Sequence, residues 1–415
     1  MAGIIAFPHV VQQALQDFGD LFANEPQRRH FAEYLTGLYV ADRKTVSGIN
    51  APFANSRDPS CLNRFLHLDT WDGQALNQRR LDLLQQHSDT RSSEHGSIAM
   101  DNTSIDHIGK LIDAVGWFWD HAEQRHKIAH DYLIANYVCS SGKHYPLEFR
   151  CFQKQEQCRA QQIPFKDHTQ QFQELVDWVD EQHIPGTFAM DSYFTNAPIL
   201  NYIHSKKLGD GRSRGYVGSL KLNRKIQYKG CLVKVSELAA QIEPSLRKSL
   251  REGQKEQWYF TCSLRIPDIG HKVRVVVLWP TQEATSPKIA LVSNRVQWEV
   301  TRIVRVYRDR WTGTETFHRD GKQELGLGDC QLRSRECQAR HMYLVMLAYS
   351  LLVSQLEQSH AYEWAYRKLS TIGEACSAIL TETLRSTLQW AFERVQKYGW
   401  DQDRVVAHLG LTGDS

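Results

Sequence analysis

Two short stretches decide how this chain reads: SIAMDNTS at residues 97–104 and TFAMDSYF at residues 187–194. Each holds an apolar run that ends on an aspartate, Asp101 in the first and Asp191 in the second. A short apolar run bounded by polar residues is the pattern of a strand buried on both faces. In α/β sheets the groups at the carboxyl ends of such strands converge on one edge. A third acid, Glu315, opens the helical stretch TETFHRDGKQELG at residues 314–326. Two acids at a sheet edge, with one from a helix packed across the sheet, can hold a pair of hard cations such as Mg²⁺. Two such ions clamp the attacking and leaving oxygens of a phosphoryl displacement. Spacing alone is a weak signal. Among 47 Asp and Glu, an acid at a strand end is ordinarily a cap or turn residue.

Working outward, residues 1–95 read as helical, with Leu15, Phe18, Leu21, Phe22, then Phe31, Tyr34, Leu35 and Leu38 at threes and fours. The polar stretch SGINAPFANSRDPS (47–60) reads as a loop. From residue 97 the texture changes. SIAMDNTS is followed by two strands around SSGK, the helix QQFQELVDWVDEQ, TFAMDSYF, the helix NAPILNYIHSK and the strand GYVGSLKLN. The order is β-β-β-α-β-α-β, antiparallel strands followed by α/β alternation. WYFTCSLRI and KVRVVVLWP flank the turn PDIGH and predict an antiparallel hairpin in an inserted domain, closed by KIALVSN. From Trp298 onward the chain reads as helical.

Composition narrows the classes. The chain has 415 residues, 50 Lys and Arg against 47 Asp and Glu, and a net charge of +3. That excludes a wholly basic protein but not a local basic stripe. Apolar residues at 41% are enough to bury a core, which argues against extensive disorder. The longest apolar stretch, Met342 to Val353, falls short of the ~20 residues of a membrane span and reads as a buried helix. No basic region precedes the apolar residues of the N-terminus, so no secretory signal is expected. Nine scattered cysteines without a CxxC pair predict reduced thiols and a cytoplasmic protein.

The wording of the two aspartate segments resembles the first and second acid segments of DDE transposases encoded by bacterial insertion sequences. VSNRVQWEVTRIVRVYRDRWTGTETFHRDGKQELGLGDCQLR (292–333) resembles their third. It carries the signature Tyr-x2-Arg-x3-Glu-x6-Lys at Tyr307, Arg310, Glu315 and Lys322. The resemblance is dense between residues 95 and 350. It implies a ribonuclease H-like α/β core (96–223 and 288–365) with a β-rich insertion (224–287). A helical, DNA-binding N-terminal region (1–95) and a helical C-terminal region (366–415) flank it. It implies Mg²⁺-dependent cleavage at insertion-sequence ends followed by strand transfer into target DNA, that is, cut-and-paste transposition. Asp101, Asp191 and Glu315 would be the catalytic acids and ligands of two Mg²⁺ ions, with Mn²⁺ as a substitute. Tyr307, Arg310 and Lys322 would contact transposon-end DNA. A homodimer in the synaptic complex, no membrane and a nucleoid-associated location follow from the same resemblance. The rival readings are a metal-dependent nuclease of the same fold without strand transfer, and a non-catalytic DNA-binding derivative.

One departure matters. Four residues lie between Arg310 and Glu315 where the signature has three. Five positions on a regular helix turn the side chain through about 140°. The sequence therefore predicts an irregularity, either a break at Gly313 with Thr314 as a new cap, or a π-bulge. Beyond it, Glu315, Arg319 and Lys322 share one helix face, so Arg319 joins the DNA-binding candidates. Asp106 and His107 are set aside as serving a turn, and Asp320 because five positions along a helix turn it about 140° away from Glu315.

Nine basic residues and one acid fall between His204 and Lys234, a net +8 in 31 residues. Following directly on the second aspartate, this run favours phosphate contacts, with Lys221, Arg224 and Lys225 leading into the insertion. Trp258 and Trp279 are candidates for stacking on an unpaired base, against the commoner role of core.

Overall fold

The computed structural model describes residues 3–54, 58–120, 123–252, 255–357 and 361–411. The chain divides into two compact units: Met1–Thr90, Ser104–His130 and Phe317–Ser415 in one, Arg91–Thr103 and Asp131–Thr316 in the other.

The first unit is mainly helical. It begins with α1 (His9–Phe18), α2 (Glu25–Val40), α3 (Val46–Asn50), α4 (Ser60–His67) and α5 (Gly73–Gln86). Asn24 caps α2 by accepting a hydrogen bond from the Gln27 N–H at 3.0 Å. Phe22, Phe31, Phe65 and Trp71 form an aromatic core, with the Phe65 and Trp71 rings stacked at 5.3 Å. The stretch 47–60 is not all loop. Thr45 caps α3 through the Gly48 N–H, and Ile49 packs so closely on Gly37 that a Cβ there would lie 2.4 Å from Ile49 Cγ2. One apolar contact and one cap are too little for periodicity to register. Residues 55–57 of that stretch lie outside the described residues.

The strands follow: β1 (Ser97–Asp106), β2 (Gly116–Asp120), β3 (Arg125–Val138) and β4 (His144–Phe152). After them come α6 (Gln155–Ala160), α7 (His168–Glu181), β5 (Thr187–Met190), α8 (Ala197–Ser205) and β6 (Tyr216–Leu220). The expected order is present, with β2 and α6 added. Next come β7 (Lys225–Tyr228), β8 (Cys231–Lys234), α9 (Val235–Gln241), β9 (Lys248–Glu252), β10 (Lys255–Leu264), β11 (Val273–Trp279) and β12 (Ile289–Ser293).

Among the described residues these strands form a ten-stranded mixed sheet in the order β2-β3-β1-β5-β6-β12-β11-β10-β9, with β4 also on β3. β1, β5 and β6 run parallel. The hairpin expected from the sequence pairs β10 with β11 in the register Trp258↔Trp279. Its strands continue the main sheet, because β12 pairs with β11 on one side and β6 on the other. Only the β7–β8 ribbon stands apart. Trp279 is fully buried beneath the Arg247 guanidinium at 4.2 Å, so it is core and cannot stack on a base.

The helix α10 (Val300–Glu324) is continuous through all 25 residues. This overturns the expected irregularity between Arg310 and Glu315. Thr314 caps no new helix. Its hydroxyl donates to the Arg310 carbonyl one turn back at 2.8 Å, a bond made within an intact helix. The chain ends with α11 (Arg335–Gln355), α12 (Ala361–Trp364), α13 (Ile372–Tyr398) and α14 (Gln402–His408). Residues 342–353 are buried within α11, as the sequence predicts. No helix among the described residues is long and apolar enough to cross a membrane. All nine cysteines are free thiols.

Candidate active site

The register of two strands sets the site. β1 and β5 pair in parallel from Ser97↔Thr187 to Met100↔Met190, and Asp101 and Asp191 are the next positions along each chain segment. Asp191 follows the end of β5 as expected, whereas Asp101 is not at a strand end, because β1 runs on to Asp106 beyond its pairing with β5. Adjacent strands lie about 4.8 Å apart, and alternate residues share a face. Asp101 therefore points to the same face as Ala99, and Asp191 continues the side of Ala189.

That face is covered by α10. Ala189 packs in one apolar cluster with Val300, Ile303, Val304 and Val306. Farther along, a Cβ on Gly313 would lie 3.2 Å from Ala99 Cβ and 2.6 Å from Val138 Cγ2. Glycine at 313 thus serves close approach of helix to sheet. From this seat Arg310 reaches Asp101 Oδ2 in a short, largely buried ion pair. The length of the arginine side chain makes a helix break unnecessary. Glu315 lies on the flank of the same helix and makes no hydrogen bond or ion pair among the described residues.

Electrostatics ties the three acids together. The Asp101 carboxyl is pushed up from 3.8 to about 7, first by burial and then by the Asp191 and Glu315 carboxylates, against the opposing pull of Arg310 and the Asn102 N–H. Asp191 Oδ1 accepts the N–H groups of Tyr193 at 2.9 Å and Phe194 at 3.1 Å. Its turn role is therefore real, and it engages only one of the two oxygens.

Among the described residues no group of three His, Cys, Asp or Glu side chains converges tightly enough to hold one ion. Asp101 is drawn instead onto Arg310. The donor set is nevertheless that of a hard-cation site, with three carboxylates, an unengaged oxygen on Asp191 and an unpartnered Glu315.

A supporting chain escaped the sequence reading. Asn102 Nδ2 donates to Asp131 Oδ1 at 3.2 Å, and the other Asp131 oxygen meets His168 Nε2 at 2.9 Å. His168 Nδ1 faces the Tyr193 hydroxyl at 3.2 Å, and its ring stacks on Phe152 at 4.2 Å. The chain joins the residue after Asp101 to the second residue after Asp191. Its members come from β1, β3, α7 and the β5–α8 turn, so no local sequence signal announces it.

The remaining candidates are placed as follows. Tyr307 lies 5.6 Å from the Arg310 guanidinium. Lys322 donates to the Ser104 carbonyl at 2.8 Å, and Arg319 is exposed and paired with Asp320 at 2.9 Å. Lys221 and Lys225 are exposed, and Arg224 reaches the Pro267 carbonyl at 3.4 Å. Asp106 ends β1 paired with Lys127 at 2.8 Å, and His107 is buried against His130 at 2.8 Å; both tie β1 to β3 across more than 20 positions instead of serving the turn expected of them.

Two family models match this chain over the segments that carry these acids. Residues 17–208 match the DDE superfamily endonuclease model. Residues 166–351 match the transposase DDE domain, so the two matches together run through Asp101, Asp191 and α10. The chain belongs to the DDE-type transposases. No curated protein matches it significantly.

Proposed function

We propose that this protein is a cut-and-paste transposase of the branch with the Tyr-Arg-Glu-Lys signature, acting on DNA at insertion-sequence ends. The observation that carries the reading is the in-register placement of Asp101 and Asp191 under α10, with Glu315 close enough to raise the Asp101 carboxyl. The strand order β4-β3-β1-β5-β6, with parallel β1, β5 and β6, supports a ribonuclease H-like core. Asp101, Asp191 and Glu315 would hold two Mg²⁺ ions, or Mn²⁺, which supply charge stabilisation to an in-line phosphoryl displacement. Arg310, released from Asp101, has the planar fork that suits a phosphate. Tyr307, Arg319 and Lys322 on α10, and Lys221, Arg224 and Lys225 beyond β6, are the proposed DNA contacts. A homodimer in the synaptic complex accompanies this reading.

The test is Asp191→Ala. Cleavage of DNA carrying the element's ends should be abolished while end binding is kept. Loss of binding to the same degree would make Asp191 structural. Strand transfer from pre-cleaved ends by the unaltered protein separates a transposase from a simple nuclease.

A further inference from the structure

The sheet has a second edge. Asp101 and Asp191 follow the last paired residues of β1 and β5, and at the amino ends of β1, β5 and β6 the same unit holds a cavity of about 640 Å³. From Thr187 to Asp191 is four residues, so the two edges lie ~13 Å apart at about 3.3 Å per residue. Five cations line the cavity, Lys207, Arg212, Arg214, Arg295 and Arg302, against three acids, Glu94, Asp180 and Asp210, with Trp298 as its aromatic wall.

The cations differ in how they are held. Arg214 is structural: it is buried, bonded to Asp180 at 2.6 Å and to the Ile184 carbonyl. Arg212 shares Asp210 and Glu94. Among the described residues Arg295, Arg302 and Lys207 have no carboxylate partner. The Arg302 guanidinium sits over the Trp298 ring at 3.7 Å, and Arg295 sits over Gly215, where a Cβ would come within 2.6 Å of its Nε. The Nε atoms of both arginines are buried without a hydrogen-bond partner. Arg295 feels burial first and then the like charges of Arg212 and Arg302, which the Asp210 and Glu94 carboxylates oppose without reversing. Arg302 also stands in the first turn of α10, which has no acid there, at the end where a helix disfavours cations. Converging, half-desolvated guanidiniums that outnumber the carboxylates around them, with Arg295 and Arg302 in no ion pair among the described residues, are a built environment for an anion, and their forked donors match phosphate oxygens.

We propose that this cavity is a phosphodiester-binding site for duplex DNA, separate from the catalytic edge, with Arg295 and Arg302 as its principal donors and Lys207 and Arg212 at its rim. It rests on the reading of DNA as substrate and extends that reading. The part of the basic run that meets phosphate here is its first third, completed by two arginines more than 80 positions further along the chain.

The experiment uses the full chain with Arg295→Gln and Arg302→Gln together, titrated with a labelled duplex of arbitrary sequence over a salt series. The slope of log affinity against log salt should fall by roughly 0.9 for each phosphate no longer neutralised, with circular dichroism unchanged. Arg295→Lys with Arg302→Lys should retain most of the slope. Should the glutamine pair not fold, Lys207→Gln with Arg212→Gln on the exposed rim must lower the slope alone. An unchanged slope in a folded variant overturns the site. So does stabilisation of the wild type, but not the variant, by inorganic pyrophosphate with no difference on DNA, since the pocket would then take a small anion. Asp191→Ala should keep the wild-type slope. Cleavage surviving in that variant would count against the catalytic reading and leave the slope result standing.

Discussion

Replacing Gly313 with alanine sets two effects against each other, and their magnitudes decide the sign. In an exposed helix the change would be favourable by about 1 kcal/mol, because glycine loses more backbone entropy. Here the added Cβ would lie 2.6 Å from Val138 Cγ2 and 3.2 Å from Ala99 Cβ. Carbon atoms rest at about 3.5–4.0 Å, so the first approach is short by roughly 1 Å. Val138 is buried and its β-branched side chain is stiff at χ1, and Ala99 is fully buried in a central strand. Neither neighbour yields easily, and overpacking of this kind costs about 1–3 kcal/mol. The net expectation is a loss of about 1 kcal/mol, or a displacement of α10 outward by a few tenths of an ångström. Either outcome moves Glu315 relative to Asp101, and a misplacement of about 1 Å can cost ~100-fold in rate. Urea unfolding and Mn²⁺-supported DNA cleavage report the two effects. Val138→Ala in the same background should restore part of both, giving a coupling above about 0.5 kcal/mol in a double-mutant cycle. A Gly313→Ala protein that is more stable than wild type and cleaves normally would refute the close approach of helix and sheet as the reason for glycine.

Other predictions follow from the same geometry. The Asp101 carboxyl, raised to about 7, binds its proton more tightly in the folded state, so its contribution is present below pH 4 and is lost as pH rises to 7. The loss is at most about 4 kcal/mol at 1.36 kcal/mol per pH unit; Asp101→Asn should flatten the fall of unfolding free energy in that window, and an unaltered pH profile would refute the assignment. Arg224→Ala with Lys225→Ala should weaken binding to all DNA sequences alike and make the salt slope shallower, whereas an unchanged slope would assign those residues to solubility. His168→Ala should lower the cleavage rate with little change in end binding, because Asp131 would lose the partner that orients it beside Asn102; a normal rate would show that the chain behind the acids is dispensable.

Much of this is legible in the sequence, for identifiable reasons. The apolar runs Ile98–Met100 and Phe188–Met190 stand out because β5 and the first four residues of β1 are buried, and the acids that follow them are visible because the change of polarity is abrupt. The hairpin of β10 and β11 can be read from its own turn. That these strands continue the main sheet cannot, since it depends on β12 finding β6 some 70 residues back. The expected break in α10 is absent because Arg310 and Glu315 are not short rods on a cylinder. Arginine is long enough to reach the sheet from another angle. Gly313 looks conformational in the sequence and is a packing residue in the fold, because the atoms it must avoid belong to β1 and β3, far away along the chain.

The three acids also differ in how much freedom they have left to lose. Asp191 is fixed by its own turn, with two backbone N–H groups holding one oxygen and the other left open. Its orientation is settled as the chain folds, so little rotamer entropy remains to be spent on any later contact. Glutamate at that position would carry the carboxylate past those N–H groups and forfeit the arrangement. Glu315 is the opposite case, with no hydrogen-bond or ion-pair partner among the described residues and three torsions still to order; burying and fixing such a side chain costs up to about 1.5–2 kcal/mol. The site therefore has one rigid corner and one adaptable one, and geometric tolerance in whatever binds there resides in the helix rather than in the strands.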